Sequence, residues 1–326
     1  MPMRVRLWGV RGSLPAPMIP AVIETREREI LELFIDSKYS KKAELSKFLD
    51  TLPVHTRGTF GGNTPCVSVE SGNNQLIVDG GSGIRRLGYD LLRGPCGKGA
   101  GEVHILFTHF HWDHLIGVPF FVPVFIPGNV IHVYAVQDGV ESVFRTLFKK
   151  PFFPVEYEML GARFVYHKLE PRKPVKFGLL TVTPYQLDHP DPCWGFKFEC
   201  GGKVFSHCVD TECTRVTRDQ LGLDLPLYQG VDLMTFDAQY TLMETIEKMN
   251  WGHAAASLGL DIAMREGVKK VVFMHHDPAS SDEKIAAAEL QARQYYKGQL
   301  KNAKRAGLQA QEVDWCFGKE DMEFEL

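Results

Sequence analysis

The run Thr108-His109-Phe110-His111-Trp112-Asp113-His114 follows directly on the apolar stretch Val103-His104-Ile105-Leu106-Phe107, so three imidazoles and a carboxylate fall within six residues where a strand gives way to a loop. His109 and His111 are two apart. On extended backbone they point the same way and can chelate one ion. Asp113 and His114 lie past the turn and can reach a second ion beside it. A lone histidine here would read as a satisfied core residue, but four donors at this density require a fold that gathers metal ligands at strand ends.

The rest of the chain can supply such a fold. Its 326 residues allow one large layered domain or two ordinary ones. Short β-rich runs bounded by Gly, Asn or Pro lie at 4–10, 65–69, 75–79 and 103–108. Gly72-Asn73-Asn74 marks a turn between two of them, and a meander is expected. Further strands are expected at 130–135, 162–167, 179–186, 195–200, 203–207, 233–237 and 270–275.

Helices fall between and after these strands. The clearest is expected over 281–306, with Ser280 and Glu283 as a capping box, Ile285, Ala288, Ala292, Tyr295 and Tyr296 at helical spacing, and Gly307 at its end. Another covers 254–266 and stops at Gly267. Strands with helices in both halves of the chain suggest two sheets packed face to face with helices outside. The pattern turns wholly helical between Pro20 and Pro53. Ile23, Ile30 and Phe34 mark one apolar face, and Leu45, Phe48, Leu49 and Leu52 mark another after Ser40, a candidate N-cap. This reads as a helical hairpin inserted at 20–53 within a single domain spanning 1–326, with the charged stretch 24–29 on its solvated side.

Composition narrows the function. The balance of 37 Lys+Arg against 40 Asp+Glu gives a net charge of −3, with no broad basic field to grip a phosphate backbone. An extended nucleic-acid partner is therefore disfavoured. The N-terminus has no secretory pattern, and no window reaches the length of about 18 uncharged apolar residues that a membrane span needs. A cytoplasmic protein without a membrane partner is expected. Seven scattered cysteines without a CxxC pair suggest buried free thiols rather than disulfides or a zinc ribbon.

The HxHxDH run at 109–114 resembles the signature of the metallo-β-lactamase superfamily of dinuclear metallohydrolases. The likeness implies an α+β fold, a four-layer αββα sandwich with ligands on loops at one rim, and it covers nearly all of the chain outside the 20–53 insertion. Carried over residue by residue, it implies that Asp79, ending Leu76-Ile77-Val78-Asp79, orients a ligand imidazole. It also implies that His189 joins His109 and His111 on one metal, and that Asp210 bridges to a second metal held by Asp113 and His114. The last ligand comes from His275-His276. Neighbouring residues on a strand face opposite ways, so only one should ligate; His275 fits the family position better, and His276 is left as its alternative or a substrate contact.

Trp251-Gly252-His253 resembles a motif of the phosphodiesterase branch, which includes ribonuclease Z and cyclic phosphodiesterases. The resemblance implies that His253 stabilises phosphate charge or protonates the leaving group. The residues after it, Ala254-Ala255-Ala256, depart from the Glu-Ala-Thr or Ser-Thr of ribonuclease Z, so any carboxylate orienting His253 must come from elsewhere. The glycine-rich segments 8–13 and 60–66 are similar to those of the same branch, with Asn63 and Thr64 as candidate donors to anionic oxygens.

Together these features imply a metal-dependent hydrolase. Catalytic roles fall to Asp113, His253 and Asp79, and two divalent ions, Zn²⁺ first with Mn²⁺ or Fe²⁺ as alternatives, share a hydroxide that attacks a small cyclic or nucleotide-type phosphodiester. A ribonuclease Z-like RNA 3′-processing nuclease, a thioester or lactone hydrolase and a non-catalytic biosynthetic relative are the competing readings. Relatives are often homodimers.

Overall fold

The computed structural model describes residues 2–39, 41–308 and 311–326. Among the described residues fourteen strands form two seven-stranded sheets. The first sheet contains β1 (Arg4–Gly9), β2 (Cys66–Ser71), β3 (Asn74–Val78), β4 (Glu102–Phe107), β5 (Val130–Ala135), β6 (Arg163–Lys168) and β14 (Glu323–Glu325), ordered β14-β1-β2-β3-β4-β5-β6. The second sheet contains β7 (Val175–Phe177), β8 (Leu180–Gln186), β9 (Trp194–Cys200), β10 (Lys203–Cys208), β11 (Leu233–Asp237), β12 (Lys270–Met274) and β13 (Asp314–Phe317), ordered β13-β12-β11-β10-β9-β8-β7. Each begins as an antiparallel meander and turns parallel: β3 to β6 in one, β10 to β13 in the other. Parallel neighbours need crossovers, and helices supply most of them.

The helices among the described residues are α1 (Pro20–Ile35), α2 (Leu45–Thr51), α3 (Val54–Arg57), α4 (Ile84–Leu91), α5 (Trp112–Leu115), α6 (Val140–Leu147), α7 (Arg218–Leu221), α8 (Leu242–Glu247), α9 (Ala256–Glu266) and α10 (Asp282–Arg305). Alternation along the strands sorts the core into layers. Val67, Val69, Leu76 and Leu106 of the first sheet meet Phe196, Phe198, Phe205 and Val272 of the second. Ile77, Ile105 and Val133 face outward onto Ile84, Leu87 and Phe144 of α4 and α6. Phe236 and Phe273 face Leu260 of α9 and Ile285 of α10. The result is the expected αββα sandwich. Among the described residues no helix is long and apolar enough to cross a membrane, and all seven cysteines are free, six of them buried.

Three strands escape the sequence reading. β7, β13 and β14 have three or four residues each, too short for a period-2 pattern to register. The cap of α10 also differs from expectation: Ser281 Oγ, not Ser280, accepts from Lys284 N, and Asp282 is thereby the first helical residue.

The inserted segment is helical as read, but its faces are not. Ile23, Leu45 and Leu49 are exposed, and the buried residues are Phe48 and Arg26. Phe34 packs edge-on against Phe48, with ring centroids 5.1 Å apart, which ties α1 to α2. Arg26, in the stretch read as solvated, instead reaches Asp282 Oδ2 at 3.0 Å, and Arg11 meets Asp282 Oδ1 at 3.1 Å. An ionic anchor outweighs the apolar stripe in fixing α1. The cap expected at Ser40 lies outside the described residues.

Candidate metal centre

The parallel strands of both sheets end at one rim, the usual location for ligands in sheets of this kind. His109 and His111 follow β4, Asp113 and His114 lie on α5, and His189 follows β8. Asp210 follows β10, and His275 follows β12. The donor atoms of His109, His111, His189 and Asp210 lie within 4.8 Å of one another, and so do those of Asp113, His114, Asp210 and His275. All seven expected ligands thus converge as two clusters sharing Asp210. Asp79, Asp210 and His275, each close behind a strand end, have left-handed backbone, with φ of 63°, 65° and 67°. That conformation is uncommon outside glycine, and Asp and His are among the side chains that tolerate it best.

The donor set fits cations. His114 Nε2 lies 2.9 Å from Asp210 Oδ2, and His275 Nε2 lies 2.8 Å from Asp210 Oδ1. Yet His109 Nε2, His114 Nε2, His189 Nε2 and Asp210 Oδ1 are buried with no hydrogen-bond partner among the described residues. Buried polar atoms left unpaired are costly. With these four atoms unpaired, the crowded imidazole and carboxylate groups are arranged as the ligands of an ion would be.

Surrounding groups fix each ring. Asp79 Oδ2 accepts from His114 Nδ1 at 2.7 Å while Oδ1 accepts from Thr108 N, so Nε2 of His114 is turned into the centre. Asp191 Oδ2 holds His111 Nε2 at 2.8 Å, leaving Nδ1 as the ligand atom. Gln239 Oε1 accepts from His275 Nδ1 at 2.7 Å. Asp237 Oδ2 lies 2.9 Å from His253 Nδ1. Asp113 accepts from Ser13 N and from His275 Nε2, and its carboxylate lies within the second cluster.

Asp191, Gln239 and Asp237 were not foreseen. Asp237 closes an apolar strand just as Asp79 follows one, a signal that could have found it; nothing local marks Gln239. The carboxylate that the sequence requires from elsewhere for His253 is therefore Asp237, sixteen residues upstream.

Electrostatics separate the two clusters. Burial holds the His109 and His189 imidazoles below their ordinary pKa, aided by neighbouring rings, so both are neutral and ready to ligate. In the second cluster burial opposes the charged form of His114, but Asp210, Asp113 and Asp79 outweigh it and raise the pKa. Burial likewise works against charge on His275, yet Asp210 and Asp113 push its pKa up to about 10. Burial raises the Cys193 thiol, which sits 3.6 Å from His109 Nδ1, so sulfur stays protonated and outside the donor set.

The expected substrate contacts fare differently. Asn63 Nδ2 donates to Glu320 and its Oδ1 accepts from Ser82. Thr64 Oγ1 donates to the Asp113 carbonyl. His276 points away from His275, as strand alternation demands; its Nε2 bonds Gly318 O and its ring stacks on Phe317. The Asn63 and Thr64 side chains brace the rim from within, and His276 lies behind His275 on the other side of the strand end.

The first glycine-rich segment has a related task. A Cβ on Gly12 would sit 2.3 Å from both His275 Nδ1 and Gln239 Oε1. Gly12→Ala is accordingly expected to push His275 out of line and to lower the number of cations bound per chain, while the first cluster keeps its own; elemental analysis of purified protein checks this.

A cleft of about 650 Å³ opens over the second cluster, flanked by Trp112, Trp251, Tyr240, Lys248 and His253. Comparison with known proteins places this geometry. A family model described as a β-lactamase superfamily domain matches residues 74–276, from β3 to the rim beyond β12. The chain belongs to the metallo-β-lactamase superfamily.

A stretch of 101 residues is 26% identical to Ribonuclease BN of Escherichia coli, and the match spans only 29% of this chain and 30% of that one. Ribonuclease Z of Bradyrhizobium is 22% identical over 293 residues, covering 73% of this chain and 90% of its own. Among solved structures, the metallo-β-lactamase fold protein YhfI from Bacillus subtilis aligns with a TM-score of 0.62 at 16% identity, over 100% of this chain and 99% of that one. Human tRNase Z, short form, gives 0.58 at 16% identity, over 98% of each chain. A diphosphatase from the PhnP family gives 0.58 at 15%, over 99% and 98%. At these identities the structures share the superfamily's fold.

Proposed function

We propose that this metallo-β-lactamase superfamily hydrolase is a phosphodiesterase acting on a small cyclic or nucleotide-type phosphodiester, with two divalent ions, zinc by default, as its cofactors. The observation that carries the reading is the Asp237–His253 pair beside the second cluster. His253 stacks on His275 with ring centroids 4.7 Å apart, and its side chain is only 10% exposed. A thioester or lactone hydrolase of the same fold has no need of such a pair. Two cations among the seven donors would supply positive charge to phosphoryl oxygens and acidify a water molecule.

The chain's own groups do the rest. Asp237 fixes the tautomer of His253, so the proton on Nδ1 is engaged and Nε2 is the atom free to carry a proton to a departing oxygen. Lys248, 4.2 Å from the Tyr240 ring centroid at the mouth of the cleft, offers a cation for an incoming anion. Trp112 and Trp251 give flat faces for a ring.

His253→Ala should lower kcat on bis(p-nitrophenyl) phosphate by about 10²–10³ with metal content unchanged. Asp237→Asn should cost roughly 10- to 100-fold, as loss of a supporting hydrogen bond does. The reading fails if esters or lactones are the better substrates and His253→Ala leaves their turnover intact. Similarity to Ribonuclease Z along most of the chain supports a second reading, RNA 3′ processing. Cleavage of a precursor transfer RNA, set beside cyclic nucleotides, separates the two, and the net charge of −3 favours the smaller substrate.

A further inference from the structure

Beside the cleft over the metal centre lies a second pocket of about 120 Å³, open to solvent on one side and bounded by the end of β11, α8, the start of α9 and α10. Gln239, Tyr240 and Asp277 line both spaces, so the pocket adjoins the cleft along these residues. Its surface is mainly apolar. Ala256, Ile285, Ala288, Ala292 and Phe317 form much of it, and Ser257 Oγ at its edge is buried with no hydrogen-bond partner among the described residues. In size the pocket approaches the cavities, on the order of 150 Å³, that take up one benzene ring.

One side of this pocket is unusual. Helix α8 has no buried residue, and Leu242, Met243 and Ile246 are all at least half exposed. Little apolar packing holds it down. Its ties are the Thr241–Glu244 capping box, the Lys284–Glu244 bridge at 2.8 Å to α10, and Lys248 to Asp277 at 3.5 Å just beyond its end. The Lys284–Glu244 pair is the more exposed of the two and contributes little, so α8 is a lightly held side of the pocket.

We propose that this pocket is a binding subsite for an apolar ester group of the substrate, an aryl ring or a branched alkyl of comparable size. The inference rests on the phosphodiesterase reading: with the phosphodiester at the metal centre, one ester arm is directed past Tyr240 into the pocket. Ser257 Oγ then gains a partner when that arm carries a polar tip. The site selects against diesters whose arms are both small.

Two substrates with the same leaving group test it on the zinc-loaded protein: bis(p-nitrophenyl) phosphate and methyl p-nitrophenyl phosphate. The diaryl ester should have a KM about ten- to a hundredfold lower, the range that filling an apolar pocket gives. Ala288→Phe, which fills the cavity from α10, should erase that difference by raising the KM of the diaryl ester alone, and Ala292→Leu should do so in part. Crystals of the unaltered protein under xenon pressure should show the gas in the cavity. An unchanged KM ratio in a folded, metal-loaded Ala288→Phe protein overturns the subsite, as does a cavity that takes up no xenon. If neither diester is hydrolysed by the unaltered protein, the phosphodiesterase reading fails instead, and xenon uptake still decides the cavity.

Discussion

Asp210→Ala is expected to strip the protein of most of its bound metal and to lower turnover by at least about 10³, the effect of removing several kcal/mol of charge stabilisation at the reacting centre. Both donor clusters depend on this one carboxylate, so its loss cannot be confined to one of them. It is also fully buried among imidazoles. Burial opposes its charge, but His275 and His114 hold its pKa well below the usual carboxylate range. Asp210→Asn, which keeps the shape and one oxygen donor, should retain more metal than alanine and far less activity than the parent.

The same electrostatics set a pH dependence. Without cations His275 keeps its proton up to a pH of about 10, and a metal ion must displace that proton to bind. Cation retention should therefore improve as pH rises from mildly acidic to mildly alkaline values. Metal content after dialysis at a series of pH values measures it; retention that is flat or declines across that range would show that the second cluster does not use His275.

The second large effect concerns stability. Asp282 takes Arg11 on one oxygen and Arg26 on the other, and Oδ1 also accepts from Phe60 N. All three charged side chains are less than one-tenth exposed. Burial depresses the Arg11 pKa and Asp282 opposes it, so the guanidinium depends on this carboxylate. Asp282→Ala leaves two buried cations, Arg26 with the exposed Glu283 as its one carboxylate and Arg11 with backbone carbonyls of Gly61, Asp277 and Ser280 in place of an ion pair, and should destabilise the fold by about 3–5 kcal/mol. Urea unfolding midpoints measure this. Asp282→Ala combined with Arg26→Met should recover part of the loss, because one of the stranded charges is gone with it; a double variant no more stable than the single would place the damage in the lost Phe60 bond instead.

How much of this was legible in the sequence follows from how local each signal is. The 109–114 run declares its chemistry because its donors are neighbours in the chain and the strand before them fixes their directions. Alternation required that only one of His275 and His276 ligate, the resemblance to the family favoured His275, and the structure turns the two rings apart as alternation requires. Asn63 and Thr64 misled because a polar side chain after glycine has the same appearance whether it meets a ligand or braces a loop. Gln239 and Asp191 were invisible, since each matters only through a partner tens of residues away. Arg26 shows the converse: a run of charges reads as solvated until a buried carboxylate more than 250 positions later claims one of them.

The left-handed turns at Asp79, Asp210 and His275 restrict how this protein can drift over evolutionary time. A substitute there must offer a donor atom and also accept a backbone geometry open to few residue types. Valine or isoleucine would fail on both counts, glycine on the first and glutamate on the second. Inheritance should therefore hold the centre nearly fixed while the loops around it diversify, so that new specificities arise by changing what reaches the metals and not the metals' own seat.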